Sequence, residues 1–148
     1  MRLEDQVCSL ELAKRLKDLG IKQDGFYCYF MMPDIDGLCY EENWKVIRSQ
    51  LLPLTTAQLK CRMNSNCCIS AFTVAELGDF LPKYIKAETL LPEPNDKIAK
   101  FYLCYNENGY PSYDFYENEI SPGYKKENEA NARAKMLIYL IENDLSPL

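Results

Sequence analysis

The chain has 148 residues, 47% hydrophobic and 26% charged, with a formal net charge of −5, which fits one globular domain that buries about two-thirds of its unfolded surface without metal or disulfide staples. No apolar run approaches the ~20 residues of a membrane-spanning helix, and the acidic balance lacks the clustered Lys and Arg that displace counterions from nucleic acid. Seven cysteines occur with no histidine, which removes Ser-His-Asp triads, Cys-His pairs and histidine general bases.

The first residues, Met-Arg-Leu-Glu-Asp-Gln, lack the basic-then-apolar pattern of a secretory signal. The expected setting is the cytoplasm, where the cysteines are free thiols that behave as small buried hydrophobes. A first helix is predicted with Ser9 as N-cap, Glu11 in the first turn and Gly20 just past its end. Cys8, Leu12, Leu16 and Leu19 share its apolar face. Phe26 to Met31 reads as a strand without polar alternation, so both of its faces are expected to be at least partly covered. Pro33 ends it, and Asp36-Gly37 makes a hairpin turn into Leu38-Cys39-Tyr40. Trp44 to Leu52 is open between a third strand and a short helix.

Two capping boxes follow, Thr55 with Gln58 and Thr73 with Glu76, and predict two short helices, the second ended by Pro82. Cys61 to Cys68 is a polar loop running into Ile69 and Phe72. Leu91-Pro-Glu-Pro-Asn-Asp, at 91–96, is the candidate linker or sub-lobe boundary within a single domain spanning 1–148. Phe101–Tyr105 and Tyr113–Tyr116 form a second hairpin around Asn108-Gly109. A final helix covers about Asn128 to Asn143. Its stripe of Ala130, Ala134, Leu137, Ile138 and Ile141, widened by Met136 and Leu140, is broad enough to pack on a sheet or a second chain.

No chemistry-bearing constellation stands out. Cys61, Cys67 and Cys68 are dense, but structural zinc wants Cys-x2-4-Cys pairs with a second pair or histidines, so no metal or cofactor is expected. Asp34, Asp36, Glu41 and Glu42 are better read as hairpin chemistry than as an acid pair or calcium loop. Tyr27, Tyr29, Tyr102 and Tyr105 lie on strands nearly free of Lys and Arg, so packing explains them better than stacking on nucleic acid. Trp44 and Arg48, in a segment that sets an aromatic beside cations, are the candidate partner contacts, although packing is the main role expected of the indole.

Three blocks, Cys8–Gln23, Ser70–Pro82 and Glu129–Asn143, cover about a third of the chain. They resemble the opening, centre and closing helix of a group of small bacterial proteins found in prophages and other mobile elements. The resemblance implies a bacterial or phage cytoplasmic setting. It carries no catalytic residue set to transfer.

The resulting expectation is an α+β fold, with two hairpins in an antiparallel sheet, an N-terminal helix, short middle helices and a long C-terminal helix. The functional expectation is a non-enzymatic protein that acts through protein–protein binding, self-association included, with no nucleic acid and no membrane. One alternative is a protein that sequesters a small ligand or nucleotide to counter a host defence. It needs an aromatic pocket with a buried cation, Arg48 or Arg62 beside it. The other is an enzyme using a cysteine or a carboxylate pair.

Overall fold

The computed structural model describes residues 3–33, 39–49, 68–88, 98–107, 109–115, 118–122 and 128–145. The first helix, α1 (Leu10–Asp18), starts where Ser9 Oγ accepts from the Leu12 amide. It ends in a Schellman arrangement, with the Gly20 amide bonded to Lys17 O and the Ile21 amide to Leu16 O, each at 3.0 Å. Gly20 reaches φ +85°, which a Cβ would penalise. Such a cap contributes about 1 kcal/mol, whereas the burial of Ala13 and Leu16 fixes the helix in place.

The strands form two antiparallel sheets. The first has the order β2-β1-β3, with β1 Tyr27–Pro33, β2 Cys39–Arg48 and β3 Cys68–Ala71. The predicted first hairpin is therefore present, with a register break between Met31 and Pro33. Trp44 falls in the strand alternative, because β2 runs through it to Arg48. Helix α2 (Val74–Phe80) follows with its capping box complete, the Thr73 side chain and Glu76 serving each other's backbone amides.

The second sheet has the order β4-β5-β6-β7, with β4 Tyr84–Glu88, β5 Ile98–Tyr105, β6 Pro111–Phe115 and β7 Asn118–Ile120. The second hairpin is β5–β6, turned at Gly109 with φ +76°. The final helix, α3 (Glu129–Glu142), has Asn128 as N-cap and Asn143 as C-cap.

The class is the expected α+β, with the two hairpins in separate sheets, each extended by further strands. Strands β3, β4 and β7 had no counterpart among the predicted elements. The turn Asp36-Gly37, the Thr55–Gln58 box, Cys61, Arg62, Cys67 and the 91–96 stretch lie outside the described residues. None of the described helices is long and apolar enough to cross a membrane.

One apolar cluster draws from both of these sheets and from α1, α2 and α3. It includes Leu16, Tyr29, Ile69, Phe72, Leu77, Ile85, Tyr113, Met136, Leu137 and Leu140. The α3 stripe is spent inside this cluster, against α1, α2 and β6. The two terminal segments are also tied by polar contacts. The Ser9 amide donates to Asn131 Oδ1 at 2.7 Å, and Arg15 reaches Glu142 Oε1 at 2.6 Å.

Candidate functional site

Trp44 and Arg48 occupy the same face of β2, opposite Met31 and Tyr27 respectively. Between them lies Val46, half-buried against the core. Trp44 is itself half-buried on that core, with Lys14 Nζ 5.4 Å from its ring centroid. Its buried Nε1–H finds no acceptor among the described residues. Arg48 is exposed at the far end of the strand and lines a cleft of about 340 Å³ with Phe26, Tyr27 and Thr73. The indole therefore packs, the guanidinium faces solvent, and they do not share one patch.

The approach to that cleft is fixed by a polar lattice. Glu76 Oε1 accepts from the Phe26 amide at 2.8 Å, while Oε2 accepts from the Thr73 amide and hydroxyl. Ser70, fully buried, accepts from the Gly25 amide through Oγ, and its own amide donates to Gln23 Oε1 at 2.9 Å. Of these bonds the one between the Gly25 amide and Ser70 Oγ is fully buried, where an unpaired polar group would cost about 1–3 kcal/mol.

A largely shielded cation does exist, but at Arg133, whose side chain is 15% exposed. Its guanidinium donates to Val74 O at 3.2 Å, pairs with Glu129 and lies 4.5 Å from the Tyr105 ring centroid. Gly78 leaves the room it occupies, since a Cβ there would collide with Nη1. Only Nε lacks a partner among the described residues, so Arg133 acts as a strut between α2, α3 and β5. The sequence signal was faint, a Glu129–Arg133 spacing of four and a bare Gly78.

Four cysteine side chains are described, all as free thiols. Burial pushes the Cys8 thiol up to about 12. The Cys68 thiol's hydrogen bond holds Cys28 below the ordinary range, but both sulfurs are buried and out of reach of a substrate. Cys104 is exposed, and desolvation together with Asp114 holds it above the ordinary range, so it is mostly protonated at neutral pH. No group of three metal-ligating side chains occurs among the described residues. The acids Asp34 and Asp36 lie outside those residues.

The outward side of the second sheet is different in kind. Antiparallel register places Tyr84, Tyr102, Asp114 and Glu119 in one row across β4, β5, β6 and β7. Lys86 and Lys100 form the neighbouring row, and Cys104 pairs with Ser112 on the other side. Alternation sends the intervening Ile85 and Tyr113 into the core, with the Tyr113 hydroxyl donating to Pro82 O at 2.7 Å. Tyr84 and Tyr102 are left 48% and 55% exposed, their ring centroids 6.2 Å apart. Lys100 Nζ lies 5.1 Å from the Tyr84 centroid.

Two large tyrosines half in water, with Lys100 against one ring, are the residue type enriched at the centres of protein contacts, and the flanking Lys86, Asp114 and Glu119 have the charged, solvated character of a contact rim. Of the four strand tyrosines singled out in the sequence, Tyr29 is buried and Tyr27 half-buried, whereas Tyr102 and Tyr105 are exposed, Tyr102 beside Tyr84 across the strands and Tyr105 under the Arg133 guanidinium. Tyr84 was missed because β4 was missed, although Tyr84-Ile85-Lys86 alternates with period two. No family profile, curated protein or solved structure matches the chain.

Proposed function

We propose that this chain is a non-enzymatic binding protein that acts through protein–protein contact, with the outward face of the second sheet as its contact surface. The observation that carries this reading is the exposed Tyr84–Tyr102 pair, set among Lys86, Lys100, Asp114 and Glu119. Tyrosine presents large area at small entropic cost and keeps a hydroxyl for a partner's polar groups. The raised thiol of Cys104 and the inaccessibility of Cys28 and Cys68 favour surface over reactivity. A cytoplasmic setting in a bacterial mobile element rests on the three blocks Cys8–Gln23, Ser70–Pro82 and Glu129–Asn143.

The test is photocrosslinking in cells with a benzophenone residue placed at position 102, and at Lys22 as control. The expected outcome is a protein adduct from position 102 and none from position 22. Equal labelling from both positions, or none from position 102, defeats the reading.

A second reading, small-ligand or nucleotide sequestration, is favoured by the aromatic cleft beside Arg48. It falls short of its own requirement in that Arg48 is exposed rather than buried. Calorimetric titration with nucleoside phosphates decides it. Binding that weakens at least tenfold in Arg48→Ala would establish this reading.

A further inference from the structure

If the outward face of the second sheet is a contact surface, its charge pattern identifies what fits it. The β4–β5 half carries Lys86 and Lys100, and the β6–β7 half carries Asp114 and Glu119, with the tyrosines beside the boundary. Lys86, Lys100 and Glu119 are exposed and Asp114 is half-buried. Among the residues whose exposure is described, the face is cationic on one half and anionic on the other, and such a pattern complements itself when turned over. A two-fold axis lying in the contact plane, parallel to the strands and between β5 and β6, sets β4 over the other copy's β7 and β5 over its β6.

The row Tyr84, Tyr102, Asp114, Glu119 then meets itself reversed. Tyr102 faces Asp114 of the second copy, and Tyr84 faces Glu119. Each phenol can donate to a carboxylate. Lys100 and Lys86 sit one same-face step along their strands, roughly 7 Å away, within reach of the same opposed carboxylates.

We infer that the occupant of this face is a second copy of this chain, docked sheet to sheet about that two-fold axis. The inference rests on the contact-surface reading above and commits it to one partner. Single-stranded nucleic acid would use the tyrosines and lysines but would have to pass Asp114 and Glu119 on a chain of net charge −5. Four strands at about 4.8 Å spacing and five residues at about 3.4 Å give a face of roughly 300 Å². That is well under the ~800 Å² per partner of a standard stable complex. The dimer is accordingly weak and concentration-dependent, and because its charges lie near solvent it weakens as salt rises.

The decisive experiment is a charge exchange read by sedimentation equilibrium over a concentration series, with circular dichroism to verify folding. The wild type is expected to dimerise reversibly, and raised salt to weaken it. The double variant Lys86→Glu/Lys100→Glu makes these four charged positions all acidic, and Asp114→Lys/Glu119→Lys makes them all basic. Each alone is expected to lose at least ~10-fold in dimer affinity through like-charge opposition, and the two mixed are expected to form a heterodimer tighter than wild type.

A wild type that stays monomeric to millimolar concentration overturns the inference, as does a dimer indifferent to both charge sets or a mixture that fails to pair. If position 102 still crosslinks a different protein, the contact-surface reading stands and the second copy is wrong. If a fluorescent oligothymidylate binds and is released by Tyr102→Ala, the face is a nucleic-acid platform and both fail.

Discussion

The two sheets are built from similar residues and put to opposite uses. In the first, neighbouring side chains of β1 point to opposite faces, yet Cys28, Tyr29, Phe30 and Met31 are all buried. In the second, alternation separates the chain cleanly, with Ile85 and Tyr113 inside and Tyr84 and Tyr102 outside. A strand covered on both sides, as β1 is, has little surface to offer a partner and contributes stability, and the exposed groups of that sheet, Arg48 among them, lie on β2. A sheet covered on one side leaves its outward row free of the core's packing demands, and there a large aromatic pair is a feature that the fold itself does not require.

This contrast can be broken most directly at β1. Phe30→Ala is expected to cost about 3–5 kcal/mol in urea unfolding, the usual loss for a large buried ring. A loss below ~1 kcal/mol would mean that the second face of the first sheet is loosely covered.

The next effect is a pH dependence at Cys8, whose amide donates to Phe72 O and whose carbonyl accepts from the Tyr29 hydroxyl. Burial raises its thiol from 9.0 to about 12, so between those values the unfolded chain releases a proton that the native chain keeps. The native state then binds more protons, and stability falls as pH rises. The contribution is complete below pH 9 and is lost through pH 12, at up to ~1.4 kcal/mol per pH unit. Unfolding titrations of wild type and Cys8→Ala should run parallel below pH 9 and converge above it. Parallel curves throughout would show that the thiol titrates normally.

Glu76→Ala removes the α2 capping partner and the acceptor of the Phe26 amide together, and is expected to cost about 1–3 kcal/mol. Hydrogen exchange sharpens this case, since the Phe26 and Thr73 amides should both lose protection. Loss at Thr73 alone would confine the carboxylate to its cap. The smallest expected effect is at the open face, where Tyr102→Ala should change stability by no more than ~0.5 kcal/mol. If it costs as much as Phe30→Ala, the second sheet is covered and the contrast disappears.

What the sequence disclosed was local chemistry. Ser9, Gly20, Thr73 with Glu76, Asn128 and Asn143 each mark a helix end through bonds made within a few residues, and the structure has them there. The Asn108-Gly109 signal likewise found the β5–β6 hairpin. Strand β3 escaped because Cys68–Ala71 is buried on both faces, leaving no alternation to read. The width of the α3 stripe pointed to its burial, but not to α1, α2 and β6 as the elements that together take it up. Arg133 could not be recognised as a strut from its neighbours, because the carbonyl it binds is 59 residues away. Trp44 and Arg48, close in sequence, were separated by the core that Trp44 enters.

The bonds that join Ser9 to Asn131 and Arg15 to Glu142 span 122 and 127 positions. Contacts of that reach are made late, because the entropy of closing the loop is spent before they form. During synthesis the helix that leaves the ribosome first must wait, with its oily side uncovered, until the segment that will clasp it has also emerged. Translation speed and chaperone supply therefore bear on how much of this polypeptide reaches its native form.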